Sequence, residues 1–336
     1  MTGGQAADPA APIVGVVGCG VTGGRVVGHL LSRGLRVATY DPSPGPMARR
    51  AGVVRVDDPD DLLTCDAVVL CRPKPHARLA QTYLSGGVPV VSISDDLDDV
   101  VALTELRSLA EQQGVALIVG AGMAPGLSGL LARHVADQVH VVDELHVAIH
   151  GTAGPACAHQ HHEALGASSL GWHDGEWIDP PGGSGRDLVW FPEPVGAHDC
   201  YRAAVADPLL LHDAFPQVQR ISARVSATRR DRLTARLPML APPHPAGDLG
   251  SVRVEARGAN ERGERVAVIA GASGPTSELA AAVCAAVALQ LVHRGVAPGL
   301  HSPGAASLLD LDLLHHATTL GVRVQAYTGV ARPVSW

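Results

Sequence analysis

Short β-branched runs alternate with amphipathic stretches over the first hundred and twenty residues. Ile13 to Val17 is continuously apolar apart from one glycine, and a Gly-rich turn follows it. Val26, Val27, Leu30 and Leu31 then recur at helical spacing before a second run, Arg36 to Tyr40, that ends in Asp41. Further runs at Ala67 to Cys71, Val88 to Ile93 and Val115 to Val119 are separated by helix-like segments around His76 to Leu84 and Val100 to Gln112. Apolar strands in alternation with helices predict a parallel, doubly wound α/β sheet over residues 13–125.

Beyond residue 140 the period changes to two. Asp143 to His150, Val218 to Thr228, Ser251 to Arg257 and Arg265 to Ala270 alternate. Leu145, Val147 and Ile149 lie on one face, and Glu144, His146 and His150 on the other, while Arg220, Ser222, Arg224, Ser226 and Thr228 mark a matching polar face. These strands predict a second, α+β domain over residues 126–275, built on a mixed or antiparallel sheet that is apolar on one side only. Leu279 to Leu291 predicts a long helix, and residues 276–336 are expected to return in part to the first domain. The open sheet face and that helix suggest a homodimer.

Composition narrows the function. With 336 residues, 46% of them hydrophobic, the chain has enough apolar surface for two cores. Its 26 basic residues are scattered among 33 acidic ones for a net charge of −7, which leaves no electrostatic footprint for nucleic acid or an anionic membrane. No apolar run reaches the ~20 residues that span a bilayer. Residues 1–12 form a Gly/Ala/Pro-rich tail without a basic patch or apolar core, so no secretion signal is expected. Six cysteines without a CxxC pair favour reduced thiols in a cytoplasmic protein. Lys74 is the only lysine, so any lysine chemistry must use it.

Gly18, Gly20 and Gly23, with Cys19, Val21 and Thr22 between them, form G-x-G-x-x-G where the first strand meets the first helix. The first glycine permits the tight turn, the second lets backbone approach a pyrophosphate, and the third lets helix pack on strand. The helix N-terminus adds unpaired N–H groups and a partial positive charge. Asp41, eighteen residues past Gly23 at the end of the second strand, is placed to accept the ribose hydroxyls of NAD. An acid there repels a 2′-phosphate, so NAD is favoured over NADP; Arg49 and Arg50 are the residues that could favour the phosphate instead. Three later loops belong at the carboxyl edge of the sheet, where ligands bind in open α/β folds. They contribute Cys71, Arg72 and Pro73, then Ser94 beside Asp95 and Asp96, then Gly122 and Met123, all expected near the nicotinamide.

Asp66 to Asp96 (DAVVLCRPKPHARLAQTYLSGGVPVVSISDD) and Gly114 to His134 (GVALIVGAGMAPGLSGLLARH), with G-x-x-P-G-L at Gly122 to Leu127, resemble the saccharopine dehydrogenase-like family. Arg253 to Ala305 is similar to that family's strand, strand, long helix and ending, whereas residues 150–245 carry no such match. The resemblance implies an oxidoreductase that moves hydride between a nicotinamide cofactor and an amine or imine carbon of an amino-acid-like substrate. It also implies a C-terminal segment that returns to the nucleotide domain.

Reduction of C=N needs a proton donor near the nitrogen. Lys74 or His76 beside the nicotinamide, and His159 or His162 across the cleft, are the candidates. His159, His162 and Glu163 have a spacing that metal ligands on one helix face would use, but hydride transfer needs no metal and none is expected. Gly151 and Thr152 precede a helix whose N-terminus suits a substrate carboxylate. Trp172, Trp190 and Tyr201 lie in an aromatic-rich span that reads as a lid or pocket wall, and the guanidinium of Arg224 suits a carboxylate. Two other readings stand beside this one. The first is a hydroxyacid dehydrogenase or imine reductase, whose G-x-G-x-M-G has Thr22 in place of Met and whose C-terminal domain is all helical. The second is a non-catalytic NAD(H) sensor.

Overall fold

The computed structural model describes residues 10–43, 50, 52–239, 243–245 and 247–327. Arg49 and most of the N-terminal tail therefore lie outside the described residues. The first unit runs β1 (Ile13–Val17), α1 (Val21–Ser32), β2 (Arg36–Tyr40), β3 (Val53–Arg55), β4 (Ala67–Leu70), α2 (Ala77–Ser85), β5 (Val90–Ser92), α3 (Leu97–Thr104), α4 (Arg107–Gln113) and β6 (Ala116–Val119). Two helices thus occupy the stretch expected to hold one. The second unit continues with α5 (Leu127–Ala136), β7 (Val141–His150), α6 (Pro155–Gly166), β8 (Gly171–His173), β9 (Glu176–Ile178), β10 (Asp187–Phe191) and β11 (Gly196–Arg202). It is completed by α7 (Asp207–Ala214), β12 (Arg220–Ser226), α8 (Arg229–Thr234), β13 (Leu249–Ala259) and β14 (Arg265–Pro275). The chain ends with α9 (Thr276–Arg294), β15 (Gly299–His301), α10 (Leu313–Thr319) and β16 (Val324–Tyr327).

The first sheet has seven parallel strands in the order β15-β6-β5-β4-β1-β2-β3, a doubly wound arrangement whose order reverses beside β1. Its central strands β1, β4, β5 and β6 are buried almost throughout, which is why they read as continuous apolar runs. The C-terminal segment divides: β15 joins the first sheet and β16 joins the second.

The second sheet has nine strands with a main path β10-β11-β12-β7-β13-β14-β16. Leu145, Val147 and Ile149 of β7 and Val252, Val254 and Ala256 of β13 are buried in one core with α5 and α9. Helix α9 has the length and composition of a membrane span, yet 83% of that stretch is buried inside the protein. It is the central core helix, packed against α1 and α10 and tied to α1 by the Arg25–Glu278 ion pair at 2.6 Å.

The chain's own elements cover much of the two surfaces that suggested a homodimer. The long helix is interior, and the polar sheet face is roofed by the chain's own β10 and the turn after it. Val189 and Phe191 pack on Ala148 and Cys200, the Ser273 hydroxyl donates to the Pro192 carbonyl at 2.9 Å, and the Tyr327 hydroxyl donates to the Trp190 carbonyl at 3.0 Å.

Candidate functional site

The loops after β1, β4, β5 and β6 converge at the carboxyl edge of the first sheet. Facing them across a cleft of about 360 Å³ are the end of β7, the loop 151–154, α6 and the start of α9. The G-x-G-x-x-G turn closes at one end. Gly18 has φ +91°, and a Cβ there would sit 2.8 Å from the Arg72 backbone nitrogen, while a Cβ on Gly23 would run into the Gly18 carbonyl oxygen. Gly20 is different: no described atom lies within 4 Å of its Cβ position, so this backbone faces open cleft where α1 begins. A pyrophosphate needs that combination of close internal packing and one bare approach.

Asp41 secures the turn. Its carboxylate accepts the Cys19 N–H at 2.6 Å and the Ser43 N–H at 2.8 Å, at the end of β2 where ribose hydroxyls are recognised in such folds. A carboxylate has about four acceptor sites, so two remain for a ligand. The Cys19 thiol is buried and pushed up to about 11 by burial, and it plays its part through its backbone. Val21, Thr22, Cys71, Arg72, Pro73, Ser94, Gly122 and Met123 all line the cleft.

The candidate proton donors separate sharply. His76 is only 1% exposed; its Nδ1 meets the Ser92 hydroxyl at 2.8 Å and its Nε2 meets the Arg72 carbonyl at 2.7 Å. Burial holds it below its ordinary pKa, so it is a neutral ring that fixes the 71–76 loop and has no nitrogen left for substrate. His159 points to solvent and lies outside the cleft lining. His162 turns to the Leu237 carbonyl at 2.8 Å, on the side of α6 away from the cofactor loops. Lys74 does stand in the cleft, but its ammonium is paired with Asp96 at 2.6 Å and faces Glu163 at 3.7 Å. The hydrogen bond to Asp96 holds it above its ordinary pKa, which makes it a fixed cation and a poor acid.

The group that does converge is Asp95, Cys157, Gln160 and His161. Asp95 ends the β5 loop; the other three lie on α6, with Cys157 and His161 four residues apart and so on one helix face. Gln160 donates to the Asp95 carboxylate at 2.5 Å, His161 Nε2 lies 3.4 Å from it, and Cys157 Sγ lies 3.7 Å from it. Burial by itself pushes the His161 imidazole down, but the Cys157 sulfur and the Asp95 carboxylate outweigh it and hold the ring well above its ordinary pKa. The carboxylate of Asp95 thus favours the protonated form of His161, on the wall of the cleft.

The expected substrate residues divide between two places. Gly151 lines the cleft, and its φ of +80° lets the backbone pass close to the Leu249 carbonyl. Thr152 turns away and donates to Asp248 at 3.1 Å. Tyr201 is 1% exposed in the core under Arg232, so it is no pocket wall. Trp190 is 62% exposed on β10, Arg224 lines a separate cavity on the far face of the second sheet, and Trp172, opposite Ile221, packs on His212 of α7 on the core face. The aromatic span is therefore no lid over the cleft: β8 and β11 pair with β12 within the second sheet, and β10 turns over its polar face.

The three donor atoms of Asp95, Cys157 and His161 lie within 4.8 Å of one another, and their types are those zinc accepts. The hydrogen bonds among Asp95, Gln160 and His161 satisfy these atoms without a metal. Dialysis against EDTA is accordingly expected to leave melting temperature and turnover unchanged; a loss that Zn²⁺ restores would make this trio a zinc centre instead.

No protein-family model matches the chain, and no curated protein matches it. Among solved structures it is similar to apo saccharopine dehydrogenase (L-Glu forming) from Saccharomyces cerevisiae, with a TM-score of 0.70 and 15% identity over 95% of this chain and 100% of that one. It is also similar to an amine dehydrogenase from Mycobacterium smegmatis (TM-score 0.52, 14% identity, 87% of this chain and 95% of that one). A multiply substituted meso-DAP dehydrogenase from Clostridium tetani with DAP matches at TM-score 0.51 and 14% identity, over 91% of this chain and 95% of that one. The fold is therefore one that dehydrogenases use, in both its units. The mixed-sheet second unit is unlike the all-helical domain that the hydroxyacid dehydrogenase and imine reductase reading requires.

Proposed function

We propose that the chain is an NAD-dependent oxidoreductase acting at an amine or imine carbon of an amino-acid-like substrate, with His161 as the acid and base. The observation that carries this reading is the placement of His161, 3.4 Å from the Asp95 carboxylate, across one cleft from a glycine turn open to a dinucleotide. NAD would be held by the Gly18 to Gly23 turn, the N-terminus of α1 and Asp41, with the loops at Cys71 to Pro73, Ser94 and Gly122 to Met123 around the nicotinamide. When bound, nicotinamide supplies or accepts the hydride.

The chain's own residues orient the substrate, exclude water and move the proton. In the reductive direction His161 gives its proton to the substrate nitrogen and in the oxidative direction takes it back. Asp95 stabilises the imidazolium, and Gln160 fixes the Asp95 carboxylate, so both are positioning residues. Arg72 and Lys74 offer positive charge to a substrate carboxylate, while Asp95 and Asp96 offer negative charge to an ammonium; a cleft with both signs suits a zwitterion.

The experiment is calorimetric titration with NADH and NADPH, followed by a screen of 2-oxo acids with amines for loss of NADH absorbance. Asp41→Ala is expected to weaken NADH binding by roughly 10- to 100-fold, the worth of charge-assisted hydrogen bonds, and NADPH binding by much less. Equal losses for the two would remove the ribose assignment, and no binding of either would leave the glycine turn a packing device.

A further inference from the structure

The second sheet carries a row of arginines that nothing in the cleft uses. Arg202 on β11 lies directly opposite Arg224 on β12, Arg224 lies opposite Ala148 on β7, and Ala148 lies opposite Arg253 on β13. Residues in register point to one face, so the three guanidiniums flank a small alanine on the polar side of the sheet. Above them β10 and the β9 residue Ile178 cover a cavity of about 370 Å³, with Ile178 and Val189 giving it an apolar wall. This cavity and the nucleotide cleft are on opposite faces of the same sheet: β7 sends His146 and Ala148 to the one and ends at Ile149 and Gly151 in the other.

Charge within the cavity is not balanced. Glu144 pairs with Arg220 at 3.4 Å and Arg257 at 3.6 Å, and Glu255 pairs with Arg253 at 2.8 Å and Arg257 at 2.5 Å. Arg202 and Arg224 have no carboxylate within 4 Å among the described residues. Arg224 is half-buried, donates only to the Gly185 carbonyl and the Ser222 hydroxyl, and is held below its ordinary pKa by burial, with Arg202 adding to that. Asp187 acts on it from beyond ion-pair distance. The buried Nε atoms of Arg220 and Arg253 are also without hydrogen-bond partners among the described residues. Like charges directly opposite on neighbouring strands destabilise a sheet unless something between them is negative.

We propose that this cavity is a second ligand site, taking the anionic head, carboxylate or phosphate, of a small organic acid between Arg202 and Arg224, with the body of the ligand against Ile178 and Val189. The planar guanidinium forks match the oxygens of either head. The nucleotide cleft takes no part in it.

Melting curves at fixed ionic strength, with chloride exchanged for succinate or for inorganic phosphate, test the site. A saturable rise in melting temperature with one of the two is expected, and which one identifies the head group. Arg224→Gln and, independently, Arg202→Gln should each weaken the response at least about tenfold. In chloride alone Arg202→Gln should melt no lower than the parent, because it removes one of two like charges that have no carboxylate partner among the described residues, whereas Arg224→Gln also gives up its bonds to Gly185 and Ser222. No saturable response to either anion in the parent, or an undiminished response in a folded Arg224→Gln protein, would overturn the proposal; the latter places the anion elsewhere, the glycine turn included.

Discussion

Replacing His161 by Gln is expected to lower turnover in the reductive direction by roughly 10²- to 10⁴-fold, the usual worth of a positioned general acid, while NADH binding stays unchanged. The glutamine keeps a polar side chain against Asp95 and removes the transferable proton. The pH profile carries the sharper prediction. Reduction requires the imidazolium, so kcat/KM in that direction is flat at low pH and falls as pH rises through the His161 pKa. Cys157 and Asp95 hold that pKa well above the ordinary histidine value against the pull of burial. In Asp95→Asn the carboxylate is gone, the pKa drops, and the falling limb moves to lower pH. Titration of the His161 ring by NMR in the two proteins reads the same change without substrate. A limb that stays in place after Asp95→Asn, or a His161→Gln enzyme at full turnover, would end the acid assignment.

Much of the first sheet is legible in the sequence because its strands are buried on both faces and its glycines are dictated by backbone contact. Gly23 stands against the Gly18 carbonyl and Asp41 against the Cys19 N–H, and such constraints act over one turn and one strand. The alternation of β7, β12 and β13 likewise specifies a two-faced sheet. It does not say which face meets the cleft, since that depends on how the sheet packs on α5 and α9. Arg224 accordingly lies on the opposite side from the one expected of it, and Trp172 is spent on core packing against His212. The histidines of α6 show a narrower failure. Weighing His159 with His162 attends to the spacing between histidines, whereas the informative spacing runs from Cys157 to His161, four apart and turned toward Asp95. His76 misleads for a different reason. Its neighbourhood is that of the nicotinamide loop, but Ser92 and Arg72 use both of its nitrogens, contacts that only the tertiary fold brings together.

Asp207 is expected to make the protein less stable as pH rises, and Asp207→Asn to reverse that. The carboxylate opens α7 beside the Ser128 hydroxyl and is 1% exposed, and Ser128 and its own backbone N–H only partly offset the burial. Burial pushes its pKa up to about 6, with the Asp95 charge adding to the effect, despite the favourable helix N-terminus. A folded-state pKa raised above the unfolded value of 3.8 means that the native protein binds more protons between the two. Its contribution is therefore harmless at pH 4 and becomes a growing penalty as pH rises through about 6. For a fully buried carboxyl, a rise from 3.8 to about 6 corresponds to about 3 kcal/mol at pH 7 and above. Urea unfolding across this range should show Asp207→Asn equal to the parent near pH 4 and more stable by up to about 3 kcal/mol at pH 8. A difference independent of pH would mean that the carboxylate ionises in the fold at its unfolded value, with a native-side partner compensating its burial. The link to the site follows from the same charges: His161 as imidazolium favours ionised Asp207 and ionised Asp95 opposes it. Relieving the Asp207 charge should therefore move the His161 limb slightly downward, with the trio itself intact.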